Sequence, residues 1–126
     1  MWANLLLMNI DHDEIMRRVA EISPALAENA RACDAARKLV PESMRLMVEA
    51  GFFKILQPKG VGGYELPMRT EAEAVSALSE ACPSSGWVLM VMGAHHWVVG
   101  CLPERGQEDV FGDGRDGLVA DRKSVV

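Results

Sequence analysis

Apolar side chains recur along the chain at spacings of three and four residues, the period that turns one face of a helix towards a core. Ile15, Val19, Ile22 and Leu26 make the first stripe, behind Asp11-His12-Asp13-Glu14, whose acidic cap and third helical positions have the form of a capping box. Pro24 lies inside the stripe and lacks an N–H. Either the helix kinks there, or Ser23 caps a second helix that carries Leu26, Ala30, Cys33 and Leu39 to about residue 39. Pro41 predicts the next start, with Met44, Met47 and Val48 as its apolar face and Gly51 as a left-handed stop. Phe52 and Phe53 are suited to folding back on that last turn, and Pro58, Gly60, Gly62 and Gly63 make 52–66 a loop. A third helix is predicted from about Met68 to Cys82, with Ala74, Val75, Leu78 and Cys82 inward and Glu71, Glu73 and Glu80 on a solvated face. Pro83-Ser84-Ser85 ends it and caps a fourth, from about Ser85 to Val99. Pro103 opens a short fifth, Glu104 to Phe111, which presents Val110 and Phe111. Gly112, Gly114 and Gly117 then mark turns, and Leu118-Val119-Ala120 reads as the start of a strand.

Composition agrees with an all-α class. Fifteen alanines and eight methionines against seven aromatics favour helix over strand. With 49% hydrophobic and 25% charged residues, the 126-residue chain is globular rather than disordered and long enough for one domain. Thirteen basic and eighteen acidic residues are interspersed, giving a net charge of −5; no basic stripe exists to neutralise phosphates, so a nucleic-acid partner is not expected. Cys33, Cys82 and Cys101 are odd in number and form no C-x-x-C pair, and they read as packed, reduced thiols of a cytoplasmic protein. Met1 to Ile10 is apolar but lacks a basic region and a cleavage site, which argues against a signal peptide; either Met1 or Met8 could be the natural start.

The fourth helix holds the candidate chemistry. Gly86 to Leu102 contains no Asp, Glu, Lys or Arg, yet includes Trp87, His95, His96 and Trp97. The run is shorter than the roughly twenty residues a membrane span needs, so no membrane is expected, and a helix apolar all round is otherwise one buried within a larger body. At 3.6 residues per turn Trp87 and His95 lie about 80° apart and can line one cavity, whereas His95 and His96 diverge by about 100°. Taken alone, one histidine is a satisfied core residue and the other a surface one; the alternative is an imidazole beside indoles that contacts the phenolic oxygen of a bound aromatic. No metal site is expected, because there is no H-E-x-x-H and His12 is remote. Gly60-Val61-Gly62-Gly63 lacks the Lys-Ser/Thr of a phosphate loop and reads as a structural turn.

Several segments in order resemble the N-terminal helical domain of the acyl-CoA dehydrogenase superfamily. These are Pro41-Glu42-Ser43-Met44, Glu49-Ala50-Gly51-Phe52-Phe53, Gln57-Pro58, Gly62-Gly63 and Ser85-Gly86-Trp87-Val88. His95-His96-Trp97, followed by Pro103, Gln107-Glu108-Asp109-Val110 and Gly112, is similar to its flavin-dependent monooxygenase branch, the oxygenase components of two-component p-hydroxyphenylacetate and secosteroid hydroxylases. The resemblance covers about residues 10–120. It implies an orthogonal bundle of about five to six helices followed by a β-barrel and a C-terminal helical bundle, assembled as a homotetramer. It also implies reduced flavin, FMN or FAD, delivered by a separate flavin reductase, and O2-dependent hydroxylation of a small phenolic aromatic or steroid substrate. Trp87 and His95 match positions lining the substrate side of the flavin pocket, which implies aromatic packing for Trp87 and a hydrogen bond to the phenolic oxygen for His95. His96 falls where relatives often carry Asn and receives no role, while Trp97 is expected to pack.

The resemblance also sets expectations about extent. Residues 1–9 read as an extra N-terminus, 10–115 as the helical domain, and 116–126 as the start of the absent barrel followed by the off-pattern Asp121-Arg122-Lys123-Ser124-Val125-Val126. The chain therefore reads as a truncated or frameshifted copy or a fragment of a longer protein, inactive in isolation and binding flavin poorly or not at all, with an uncovered fourth helix that favours association. Two alternatives remain at this point: a fragment of an FAD-dependent acyl-CoA dehydrogenase desaturating an acyl thioester, and a non-enzymatic helical interaction module.

Overall fold

A computed structural model of the chain describes residues 9–112 and 118–119. Five α-helices follow one another among them: α1 (His12–Ala36), α2 (Pro41–Glu49), α3 (Met68–Ala81), α4 (Pro83–Gly100) and α5 (Glu104–Phe111). Two 3-10 turns, Phe52–Lys54 and Lys59–Val61, sit in the α2–α3 connection. The class is all-α, as the apolar period predicts. Leu118 and Val119 take no regular secondary structure, and Ala120, like Gly114 and Gly117, lies outside the described residues.

Asp11 caps α1 as expected, its carboxylate accepting from the Glu14 N–H at 2.9 Å. The helix then passes through Pro24 without a break, which decides against a second helix capped by Ser23. The Ser23 hydroxyl donates to the Val19 carbonyl instead (2.6 Å), and the apolar stripe explains the continuity. Ile15, Val19, Ile22 and Leu26 are all buried in one core, so a break would tear packing from both sides of the proline. The helix stops three residues earlier than the pattern suggests, at Arg37, whose backbone is left-handed (φ 55). The Arg37 N–H donates to the Asp34 carbonyl (3.2 Å) and the Lys38 N–H to the Cys33 carbonyl (3.3 Å), a Schellman closure normally built on glycine.

The core fills the angle between α1, α3 and α4. Met47, Phe52, Ile55, Ala74, Leu78 and Leu89 close on the α1 stripe, with Phe53, Leu56 and Cys82 around them. Gly51 takes φ 76 at the end of α2, and the Tyr64 ring lies against its α-carbon, so the left-handed turn both reverses the chain and admits the ring. Arg18 is buried beside this turn, where its guanidinium donates to the Ala50 carbonyl (2.9 Å) and to Glu14 (2.9 Å). His12 fastens the start of α1 to α3, lying 3.0 Å from the Thr70 hydroxyl and 2.9 Å from the Glu73 carboxylate. Segment 52–66 is a folded loop, as its turn formers predict, with Tyr64, Glu65 and Leu66 donating back to Lys54, Gln57 and Ile55. Cys33 and Cys82 are buried free thiols, while Cys101 is exposed rather than packed.

Candidate functional site

α4 begins at Pro83, whose missing N–H suits a helical start, and runs for 18 residues with no charged side chain. Among the described residues it is covered on one side only. Ser85, Gly86, Leu89, Gly93, His96 and Val99 form a buried stripe against the body of the domain. The opposite stripe is open: Trp87 is 64% exposed, Trp97 51%, and Met90 and Val98 are also exposed. Trp97 is therefore not packed among the described residues, contrary to expectation. Apolar residues on an open face are left for something the described residues do not supply.

The two histidines divide as the opposite faces require. His96 is fully buried, its Nδ1 donating to the Phe53 carbonyl and its Nε2 accepting from the Val119 N–H (3.2 Å). The Phe111 ring stands edge-on to it at 5.3 Å. It is the satisfied core histidine and ties α4 to the α2–α3 connection and to α5. His95 is half-buried beside the open face, and its Nδ1 donates to the Val91 carbonyl at 2.6 Å. That bond takes up Nδ1 and leaves Nε2 as the ring nitrogen open to a ligand. Trp87 lies eight residues earlier, about 12 Å along the axis at 1.5 Å per residue. It lines a groove of about 400 Å3 with Arg37, Lys38, Leu39 and Val88 that does not include His95. The structure thus puts both residues towards the open side of α4 without bringing them into contact.

One functional candidate was not legible in the sequence. Glu71, expected on a solvated face with Glu73 and Glu80, is only 4% exposed. Its carboxyl lies against the α-carbon of Gly93, where a β-carbon would collide with it. Neither oxygen has a hydrogen-bond partner among the described residues. Burial pushes its pKa from 4.5 up to about 8, so it holds a proton at neutral pH. An apolar cavity of about 270 Å3 between α3 and α4, lined by Met68, Val75, Met90 and Ala94, adjoins it.

The described residues contain no cluster of three His, Cys, Asp or Glu able to hold a metal ion. Among them, too, no helix is long and apolar enough to cross a membrane. The Gly60–Gly63 turn is closed on itself, with the Gly63 N–H donating to the Pro58 carbonyl (2.9 Å) and the Gln57 amide to the Val61 carbonyl (2.7 Å). These bonds hold the segment as a structural turn.

Residues 10–110 match the family model described as acyl-CoA dehydrogenase, N-terminal domain. Among curated proteins, the oxygenase subunit HsaA of a flavin-dependent monooxygenase from Rhodococcus jostii is 36% identical over 101 residues, 80% of this chain and 26% of the relative. The oxygenase component of an FADH2-dependent resorcinol hydroxylase from a Rhizobium species is 32% identical over 108 residues, 86% of this chain and 26% of the relative. The crystal structure of 3-HSA hydroxylase from Rhodococcus sp. RHA1 superposes with a TM-score of 0.78 at 37% identity, covering 84% of this chain and 28% of that one. XiaF from Streptomyces, solved with FADH2 and glycerol, gives a TM-score of 0.78 at 26% identity over 84% of this chain and 26% of that one. The chain spans about a quarter of the length of the curated relatives it matches.

Proposed function

The chain belongs to the acyl-CoA dehydrogenase N-terminal domain family, and on that premise we propose that it is the helical domain of a two-component flavin-dependent monooxygenase oxygenase that hydroxylates a phenolic aromatic or steroid substrate. The observation that carries the reading is the open face of α4, with Trp87 exposed and His95 beside it offering Nε2 as an acceptor. The oxygenase names of the relatives support the same branch over a dehydrogenase.

His95 accepts the hydrogen bond of the substrate hydroxyl at Nε2, with its other ring nitrogen held by Val91. Drawing the phenolic proton towards the imidazole loads electron density onto the ring carbon ortho to the oxygen, the position to be hydroxylated. Trp87 supplies a flat apolar wall that excludes water and orients the ring. The described residues fit one wall of such a pocket and include no phosphate cradle, so the remaining contacts to the flavin come from outside them. Reduced flavin, FMN or FAD from a partner reductase, supplies the electrons that activate O2. The whole enzyme is a cytoplasmic homotetramer in this reading.

A chimera tests it directly. This chain, substituted for the matching quarter of the Rhodococcus jostii subunit and supplied with reductase, is expected to hydroxylate a phenol. Its His95→Ala variant should lose about 10²-fold or more in kcat, the ordinary contribution of a positioned acid–base group. Equal turnover by that variant would remove His95 from the chemistry. The isolated chain is expected to bind reduced flavin weakly, and tight stoichiometric binding in an anaerobic titration would contradict the division of the pocket argued here.

A further inference from the structure

We propose that the cavity between α3 and α4 binds a small aliphatic amine in its protonated form, with the ammonium on the Glu71 carboxylate and the hydrocarbon chain among Met68, Val75, Met90 and Ala94. The cavity measures about 270 Å3, and its lining apart from Glu71 is apolar. An apolar void of roughly 150 Å3 already takes up a six-carbon ligand, so a short chain and its head group have room here. Glu71 is 4% exposed, and neither of its oxygens has a hydrogen-bond partner among the described residues. It is one polar anchor beside an otherwise apolar space, the arrangement of a small-ligand site. Met68 and Met90 line the cavity and are themselves exposed. Both side chains are unbranched, so they give way to a ligand by rotating their own bonds while the helices stay in place.

The surroundings of the carboxyl decide the class of ligand. A buried carboxyl needs a hydrogen-bond donor, and once ionised it also needs a countercharge. α4 carries no Asp, Glu, Lys or Arg. Its two histidines are bonded elsewhere, His95 to the Val91 carbonyl and His96 to the Phe53 carbonyl. On α3 itself Arg69 pairs with Glu73 at 2.7 Å, and from α1 His12 is turned to Thr70 and Glu73. An ammonium brings the N–H donors and the positive charge together, which an alcohol of the same length does not. Without a ligand the carboxyl keeps its proton at neutral pH, since burial raises its pKa to about 8. On binding, that proton passes to water and the ammonium takes its place. A carboxyl held where Gln or Met would fold more stably is accounted for by a ligand that pairs with it.

Neither His95 nor Trp87 lines this cavity and no flavin is required, so failure here leaves the chimera experiment untouched. Titrations of the chain with n-butylamine and n-butanol, followed by the Met68 and Met90 methyl resonances assigned with Met68→Leu and Met90→Leu, decide it. At pH 7.5 the amine should bind at least about 5-fold more tightly than the alcohol. Its affinity should rise about tenfold from pH 6 to pH 7 and level off above about 8, because one proton leaves Glu71 for each amine bound. The amine itself stays protonated over this range, with a lysine-like pKa of about 10.4. Glu71→Gln should bind amine and alcohol alike, with no dependence on pH. Equal affinity of the native chain for amine and alcohol, an amine affinity that does not change between pH 6 and pH 8, or an undiminished preference in Glu71→Gln would each overturn the proposal.

Discussion

Replacing Glu71 with Gln is expected to make the folded chain more stable at neutral and alkaline pH and to flatten its pH profile. The sign follows from linkage. In the unfolded chain this carboxyl ionises near its ordinary value of 4.5, whereas burial against α4 holds it protonated up to about 8. Between those values the folded state keeps a proton that the unfolded state has released, so stability is fully present below about 4.5 and is lost as pH rises through about 8. At 1.36 kcal/mol per unit the loss by pH 7 is on the order of 3 kcal/mol, a large part of what a domain of this size has to spare. Gln cannot ionise and keeps nearly the same shape. Urea unfolding at pH 6 and pH 9 checks this: the native chain should lose about 2–3 kcal/mol more than Glu71→Gln across the interval. Parallel profiles would show that the carboxyl is already solvated. Glu71→Met, which fills the site with apolar atoms, should be at least as stable as Gln at pH 7, because it leaves no polar group unpaired.

The second large effect separates the adjacent histidines. His96→Ala should destabilise the chain by about 3 kcal/mol, from the cavity left in the core and from the unpaired Phe53 carbonyl. His95→Ala, on the half-buried side of the same helix, should cost less than about 1 kcal/mol. In the chimera the order reverses, since His95 carries the proposed contact with the phenol. Chemical unfolding of both variants, read beside their turnover in the chimera, gives a two-way separation. A stability loss from His95→Ala as great as that from His96→Ala would merge the two roles and undo the assignment.

What the sequence made legible was local. The three-and-four spacing together with the proline, cap and glycine signals located the helices, the Asp11 cap and the Gly51 stop, because those depend on neighbours within a turn or two. It left Pro24 open because a proline's effect is settled by the burial of Ile22 and Leu26 on either side, a tertiary fact. It misplaced Glu71 because the space for that carboxyl is created by the missing side chain of Gly93, twenty-two positions away. Arg37 carried no stop signal, since the usual residue for that conformation is glycine. The composition of α4 was read correctly as apolar, yet composition cannot tell which of two apolar faces a chain will cover for itself. His95 and Trp87 were singled out from the charge-free helix and its angular spacing, the resemblance gave them roles, and the structure adds the hydrogen bond at one and the groove beside the other.

The proline inside α1 has a consequence for how the helix opens. Pro24 cannot donate to the Ala20 carbonyl, and the Ser23 hydroxyl takes up the Val19 carbonyl one position before it. The rung at this point is missing even though the geometry is continuous. The two halves are also anchored to different partners, His12 to Thr70 on α3 and the buried Cys33 to Ser43 on α2. In amide-exchange terms α1 should therefore read as two segments with separate protection, divided between Ala20 and Pro24, rather than as one 25-residue unit.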